Sequence, residues 1–356
     1  MKFTDFQHIS TLDEFFIPDG FSVEEFTTNL CSVDGMVAFP LTMVSKAYKS
    51  DNEYDIVDVS GNEIATLCIY PGSEFDISSS SNIKYLCYLQ EISPEYYNFP
   101  YKYRSNYLVI KKSNLDDYFS RFSLGSSIWG GFDTAIVPSS LEITPLSIIA
   151  RENIELPSDL HYENIFRGLA QPHAFERFLK SYHLLELHFD QDIVNEIKSL
   201  NQDLRGIGKI FSNLSKDEIS RLKFVISKRI FDIRKIEDAL NEFIRDTRYH
   251  AKIETIFFAY TEDSNPMKDW DSFIQLHGLG GFSLANAKIV NLANNLDAYN
   301  KILISIVTFW IYRIRCCIAH SRIGEYVMQF EDENFVHHTH VLLLNSVIFQ
   351  IFEVER

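Results

Sequence analysis

The sequence predicts an α+β protein of two domains, a β-rich domain over residues 1–155 followed by an all-α helical bundle over residues 156–356. Three observations carry this expectation. A chain of 356 residues exceeds the size at which a single core keeps growing. Its first part consists of short apolar or alternating segments cut by Gly, Pro, Asn and Ser. At "IELPSDLHYEN" (154–164), Pro157 and the Ser158/Asp159 pair form helix-start punctuation, and helical periods follow from there to the end.

In the first domain, "YDIVDVS", "EIATLCIY", "IKYLCYLQEI" and "SNYLVIKK" read as strand segments, separated by turns such as "SGNE" and "YPGSE". "NLDDYFSRF" reads as a short helix after the last of them. The segment shows no internal repeat and no nucleotide-binding glycine fingerprint. In the second domain, "HAFERFLKSYHLLELHFD" places Phe175, Leu179, Tyr182 and Phe189 on one stripe, with Phe178 and Leu185 beside it. "SKDEISRLKFVISKRI" opens with Ser215 and Glu218 at capping-box spacing. "RKIEDALNEFIRDTR", "FSLANAKIVNLANNL", the 300–322 segment and "VHHTHVLLLNSVIFQIFEVE" complete about six helices, enough for a bundle.

The apolar content of 46%, with 29 Phe and 18 Tyr, supplies cores for both domains and excludes a disordered chain. Five cysteines (Cys31, Cys68, Cys87, Cys316, Cys317) are odd in number and lack C-x-x-C spacing, which argues against a disulfide framework or a zinc site and for a reducing cytosol. The N-terminal "MKFTDFQHIS" lacks the apolar centre of a signal peptide. The longest apolar run, Ile302 to Tyr312, is too short to span a bilayer, so a soluble cytoplasmic protein is expected. The net charge of −16 is uneven: residues 1–155 carry 10 Lys and Arg against 22 Asp and Glu, and residues 156–356 carry 23 against 27. Residues 201–252 hold 12 basic against 8 acidic side chains, so a specific polyanion site is allowed there while broad non-specific binding is not expected. The acidic first domain favours a protein or small-molecule partner over nucleic acid.

The chemistry concentrates in "RIRCCIAHSRIGEY" (313–326), directly after the apolar "ILISIVTFWIY". Positions seven apart on a helix return to nearly the same face, so Arg313, Cys316 and His320 form one stripe, and Arg315 lies about 140° from His320. A guanidinium offers a permanent charged fork that fits phosphate oxygens, and an imidazole exchanges protons near neutral pH. Cations at a helix C-terminus also complement its dipole, and Gly324 stands where a stop belongs, so an ordinary helix end is the competing reading.

Arg315-x4-His320 and Arg313-x6-His320 both resemble the R-x4–6-H signature of HEPN domains, helical bundles found in many prokaryotic ribonuclease toxins and antiviral effectors. The resemblance covers residues 158–356 and extends to the motif's place at the end of a long apolar helix, with Ala319 before the histidine. The family often has Asn, Asp or His directly after the arginine, where this chain has Cys316 or Ile314. What the resemblance implies is a metal-independent endoribonuclease with no cofactor, acting on RNA such as tRNA, in antiviral defence or as a toxin. His320 would serve as general base or acid and an arginine would stabilise charge on the phosphate, Arg315 ranking ahead of Arg313. Such sites are commonly composite across a homodimer. Glu186 or His183, from an early helix, could reach toward the motif, with Cys316 in the helper position and Arg322 or Lys301 touching phosphate. The β-rich domain would then sense, recruit or restrain. The alternative from another class is a non-catalytic dimerisation or RNA-binding module with function in the N-terminal domain.

Three further motifs carry less. "HGLGGFSLANAK" (277–288) follows no strand and lacks a P-loop ending, so it reads as a flexible turn. The imidazoles of "HHTH" (337–340) do not share a helical face, which disfavours a metal site. Cys316 and Cys317 read as small buried groups rather than nucleophiles.

Overall fold

The structure, a computed structural model, describes residues 23–27, 30–41, 48–76, 81–91, 100–122, 139–141, 147–169, 171–200, 205–207, 217–261, 265–319 and 326–353. The chain divides into two compact units between Asn153 and Ile154, two residues before the boundary expected at 155/156.

The first unit contains β1 (Val23–Thr27), β2 (Leu30–Val33), β3 (Met36–Leu41), β4 (Asn52–Val57), β5 (Glu63–Ile69), β6 (Glu74–Phe75), α1 (Asn82–Glu91), β7 (Tyr101–Lys102), β8 (Asn106–Lys111), α2 (Leu115–Arg121) and β9 (Ser147–Ile149). Seven strands form one mixed sheet in the order β1-β2-β3-β8-β5-β4-β9, and β6 pairs with β7 apart from it. All pairs in the large sheet are antiparallel except β4 with β9. Asp34 and Gly35, at φ 49° and 72°, join β2 to β3 with both central residues left-handed, the type I′ turn whose twist suits a hairpin. "IKYLCYLQEI", expected as a strand, is helix α1. Tyr85, Leu86, Cys87, Tyr88 and Leu89 are all buried, and a segment buried on every side has no periodicity to separate helix from strand. The α1 side chains join Tyr70, Phe75 and Tyr103 in an aromatic core, with Phe75 stacked on Tyr88 at 4.3 Å.

The second unit is helical: α3 (Asp159–Leu169), α4 (Ala174–Ser199), α5 (Glu218–Arg229), α6 (Ile233–Arg245), α7 (His250–Ala259), α8 (Trp270–Gly278), α9 (Leu284–Ile289), α10 (Leu296–Ala319), α11 (Glu333–Thr339) and α12 (Asn345–Phe352), a π-helical turn His340–Leu344 joining the last two. That is ten helices among the described residues, against about six expected. The missed α3, α7 and α8 are short, of 11, 10 and 9 residues, and α7 carries charged residues among its apolar ones without a clean stripe. On α4 the buried line runs through Ala174, Phe178, Tyr182, Leu185 and Phe189, while Phe175 and Leu179 are only half-buried. The expected stripe was therefore one residue out of phase at its start, because it weighted the large Phe175 over the small Ala174. The cap of α5 is Asp217, whose Oδ1 accepts from Ser220 N at 2.8 Å, in place of the expected Ser215, which lies outside the described residues.

Helix α10 packs against α4, α5 and α6. It is 24 residues long, and by length and apolarity alone both Leu296–Ala319 and Phe330–Phe352 could cross a membrane. More than half of each is buried inside the protein, as core helices are.

Two buried features set the unit's response to change. The turn before α9, expected to be flexible, is pinned: Asn241 donates to Phe282 O at 3.1 Å and accepts from Phe282 N, and Asn286 donates to Gly281 O at 2.7 Å. Gly281 has φ +113°, and a Cβ there would collide with the Asn241 side chain. The His188 ring, 3% exposed, lies 4.8 Å from Phe352 and 5.5 Å from His161, with no hydrogen-bond partner for either nitrogen among the described residues. Burial, then Arg229 and His161, lower its pKa to about 4, outweighing Asp192.

Gly281→Ala is expected to cost about 2 kcal/mol or more, read as a lower urea midpoint at an unchanged denaturant slope. For His188 the folded pKa lies below the ordinary 6.5, so its share of stability is full above that pH and is lost as pH falls toward about 4. His188→Phe, which keeps a ring against Phe352, should flatten the decline of melting temperature across that window.

Candidate functional site

The last turns of α10 position the two arginines. Ile311, Ile314 and Cys317 are fully buried, which fixes the helix phase and sends Arg313 and Arg315 in different directions. Arg313 stacks its guanidinium over Tyr260 at 4.7 Å, with Tyr312 and Phe309 at 5.3 and 5.7 Å. Arg315 takes the ionic environment. Its Nη2 lies 3.3 Å from Glu218 Oε1 on α5 and 3.5 Å from Glu186 Oε1 on α4, and its guanidinium sits 5.4 Å from the Tyr182 ring. The Tyr182 hydroxyl donates to Glu218 Oε1 at 2.8 Å, and His183 Nε2 lies 3.6 Å from Glu186 Oε2.

The pKa shifts follow from this geometry. Burial raises the Glu186 carboxyl above the usual carboxylate range, Arg315 opposing it and Glu218 adding to it. Burial also lowers His183, with help from Lys180 and Arg315, so its imidazole favours the neutral form. For Arg315 burial works against the charge, but Glu218, Tyr182, Cys316 and Glu186 together raise its pKa. Burial pushes the Cys316 thiol up against the lowering effects of Tyr312 and the two arginines, and pushes Cys317 up to about 12. Both thiols therefore favour the uncharged form at neutral pH, the less nucleophilic one.

Glu186, Phe189, Glu218 and Arg221 line a cavity of about 300 Å³. Two of these four hold Arg315. Arg221 lies with its guanidinium 5.9 Å from the Phe189 ring and makes no ion pair among the described residues. The cavity thus brings one guanidinium committed to two carboxylates beside another with no carboxylate at contact distance. Such a site can exchange a proton at Glu186 and can hold an anion once a carboxylate withdraws.

Of the residues selected from the sequence, Arg315, Glu186 and His183 come together here. Arg313 and the buried Cys316 sit on neighbouring faces of the same helix. His320 and Arg322 lie outside the described residues. Lys301 is paired with Asp297 at 2.7 Å and stands fourteen residues before Arg315, about 21 Å along the helix, too far to share its ligand. Sequence reasoning missed Glu218, Tyr182 and Arg221. Glu218 was assigned to a capping box, a duty that Asp217 performs instead, and Tyr182 was counted as apolar stripe. Among the described residues no group of three or more His, Cys, Asp or Glu side chains could hold a metal ion. In "HHTH", His338 packs 4.8 Å from Tyr249 and His340 meets the edge of Phe178 at 5.9 Å. Comparison of the chain with protein-family models, with curated proteins and with solved structures returns no match.

The two arginines should respond differently to truncation. Arg315→Met leaves Glu186 and Glu218 uncompensated and is expected to cost about 2 kcal/mol near neutral pH, the deficit shrinking on acidification as the carboxyls take up protons. Arg313→Met loses aromatic stacking, about 1 kcal/mol, and only a minor charge contact with Asp217, so its deficit should change less with pH. Melting temperatures of both variants across a pH series measure the contrast.

Proposed function

We propose that the chain is a metal-independent endoribonuclease of HEPN type, with Arg315 and His320 at its centre. The observation that carries this reading is the placement of Arg315. Five residues before His320, it meets Glu186 of α4 and Glu218 of α5 beside a cavity, while Arg313 is committed to an aromatic shelf. The two ion pairs of Arg315, with Glu186 and Glu218, support the ranking by spacing over the ranking by helical phase.

In this mechanism His320 takes the ribose 2′-hydroxyl proton or supplies one to the departing 5′-oxygen. Arg315 stabilises the charge that develops on the phosphate, and Glu186, with His183 beside it, orients the guanidinium. Two copies of the motif meet across a homodimer, raising the positive charge at a site set in an acidic molecule. The acidic β-rich unit restrains or triggers the helical one in response to a protein or small molecule, and the role is cytoplasmic defence against phage or growth arrest by a toxin. A second reading, a non-catalytic RNA-binding or dimerisation module, draws support from Cys316, buried where related motifs often carry a polar residue, and from the two carboxylates that already compensate Arg315.

Purified protein incubated with total tRNA and mRNA in EDTA should yield fragments ending in 2′,3′-cyclic phosphate. His320→Ala should lower the rate by about 10²-fold or more, and Arg315→Ala comparably. Undiminished cleavage by His320→Ala removes the mechanism. RNA binding without cleavage in every form favours the second reading.

A further inference from the structure

Arg315 stands between two carboxylates, Glu186 and Glu218. A phosphate approaching it would have to compete with both. The two carboxylates are not equivalent. Glu186 lies in the middle of α4, and burial already favours its protonated form. Glu218 is the first residue of α5, directly after the Asp217 cap, where the helix dipole favours negative charge. It makes the shorter contact to Arg315, 3.3 Å, and the Tyr182 hydroxyl holds the same oxygen at 2.8 Å. Nη2 donates its hydrogen bond to Glu186 Oε1, and the Glu218 oxygen is in ion-pair contact with the same nitrogen, a place that a phosphate oxygen could take because carboxylate and phosphate present the same acceptor geometry to arginine.

We propose that Glu218 is an internal phosphate mimic: it occupies Arg315 in the resting protein, and an RNA phosphodiester binds by displacing it. The claim rests on the ribonuclease reading for the identity of the phosphate and adds the regulation of that site. The cavity supplies the means. Glu218 and Arg221 line it together, so a phosphate can first meet the Arg221 charge and then exchange onto Arg315. The displaced carboxylate stays at the α5 N-terminus with the Tyr182 hydroxyl as its remaining partner, which keeps the displacement reversible. The resting site is thereby held weak for polyanions, in keeping with a protein whose unregulated RNA cleavage would be harmful to its host.

The test uses the full chain and a short, labelled 2′-O-methyl RNA, which lacks the attacking hydroxyl and so reports binding without cleavage. Glu218→Gln keeps the side chain's shape and its contact to Tyr182 but removes the competing charge. It should bind the probe about fivefold or more tightly than the parent. Its log–log salt dependence should steepen by about 0.7, the increment of one additional phosphate contact on a single strand. The gain should vanish in the Glu218→Gln, Arg315→Gln double variant. Where that double variant fails to fold, the salt slope of the single variant decides the matter alone. Equal or weaker binding by Glu218→Gln, binding by neither form, or tightening with an unchanged slope overturns the proposal. Cleavage of unmodified RNA by the same proteins is read separately. A His320-dependent cleavage with no effect of Glu218→Gln leaves the ribonuclease standing without the mimic. Tighter binding with no cleavage leaves the mimic on a binding module.

Discussion

A guanidinium that is only 18% exposed must be met by negative charge, and the helical unit is arranged around meeting it. The carboxylates come from two different helices, Glu186 from the middle of α4 and Glu218 from the start of α5, and both converge on the end of α10. Three helices that could slide or rotate on apolar contacts alone are therefore locked at one point in both phase and axial position. Turning α10 by one residue, about 100°, would direct the Cys316 thiol at the two carboxylates and drive Arg315 into the layer now held by Ile311, Ile314 and Cys317. The apolar side of the helix and its ionic side thus enforce the same orientation, and agreement between such levels gives a sequence one structure rather than several.

The same constraint separates the two arginines chemically. Arg313 is committed to aromatic faces, a contact that tolerates small displacements and leaves a cation permanently satisfied. Arg315 is committed to carboxylates, which are exchangeable for any ligand with similar oxygen geometry. Burial also raises the Glu186 carboxyl, so protonation there would change the number of charges facing Arg315 without any movement of the backbone. Residues two apart in the sequence end up as a structural cation and a chemical one.

How far this was legible in the sequence depended on which force decided each feature. Strands β4, β5 and β8 follow alternation bounded by turns and were readable, as was helix α2. Helix α1 was not, because five consecutive buried side chains erase the periodicity that separates the two states. On α4 the phase was misread because the small Ala174 and not the large Phe175 begins the buried line. At the site, Arg315, Glu186 and His183 were legible from spacing and from a charged residue placed on an otherwise apolar stripe. Glu218 was not legible, since its local context offered a sufficient capping explanation and its real partner lies ninety-seven residues away. Long-range ion pairs between helix termini have no local signature, and a residue placed three positions after a possible cap invites the local explanation first. Arg221 was legible only in part: Glu218 precedes it by three residues on the same helix, but Glu186 comes from another helix and has no local signature.

The charges around the cavity bear on how the proposed site would meet a polyanion. Among the described residues, Arg315, Arg313 and Arg221 stand against Glu186, Glu218 and Asp217, a balance of zero when all three carboxyls are ionised, and such a site in a protein of net charge −16 would have little hold on a polyanion. Protonation of Glu186 or withdrawal of Glu218 leaves the site with a net positive charge confined to a few ångströms, where screening is weakest and a phosphate gains most. A ribonuclease kept silent until needed would use that cancellation, because it separates holding the catalytic arginine in place from making it available. On the proposed reading the acidity of the chain would act with the site instead of against it: the net charge disfavours RNA elsewhere, and one exchangeable carboxylate would determine when the site opens.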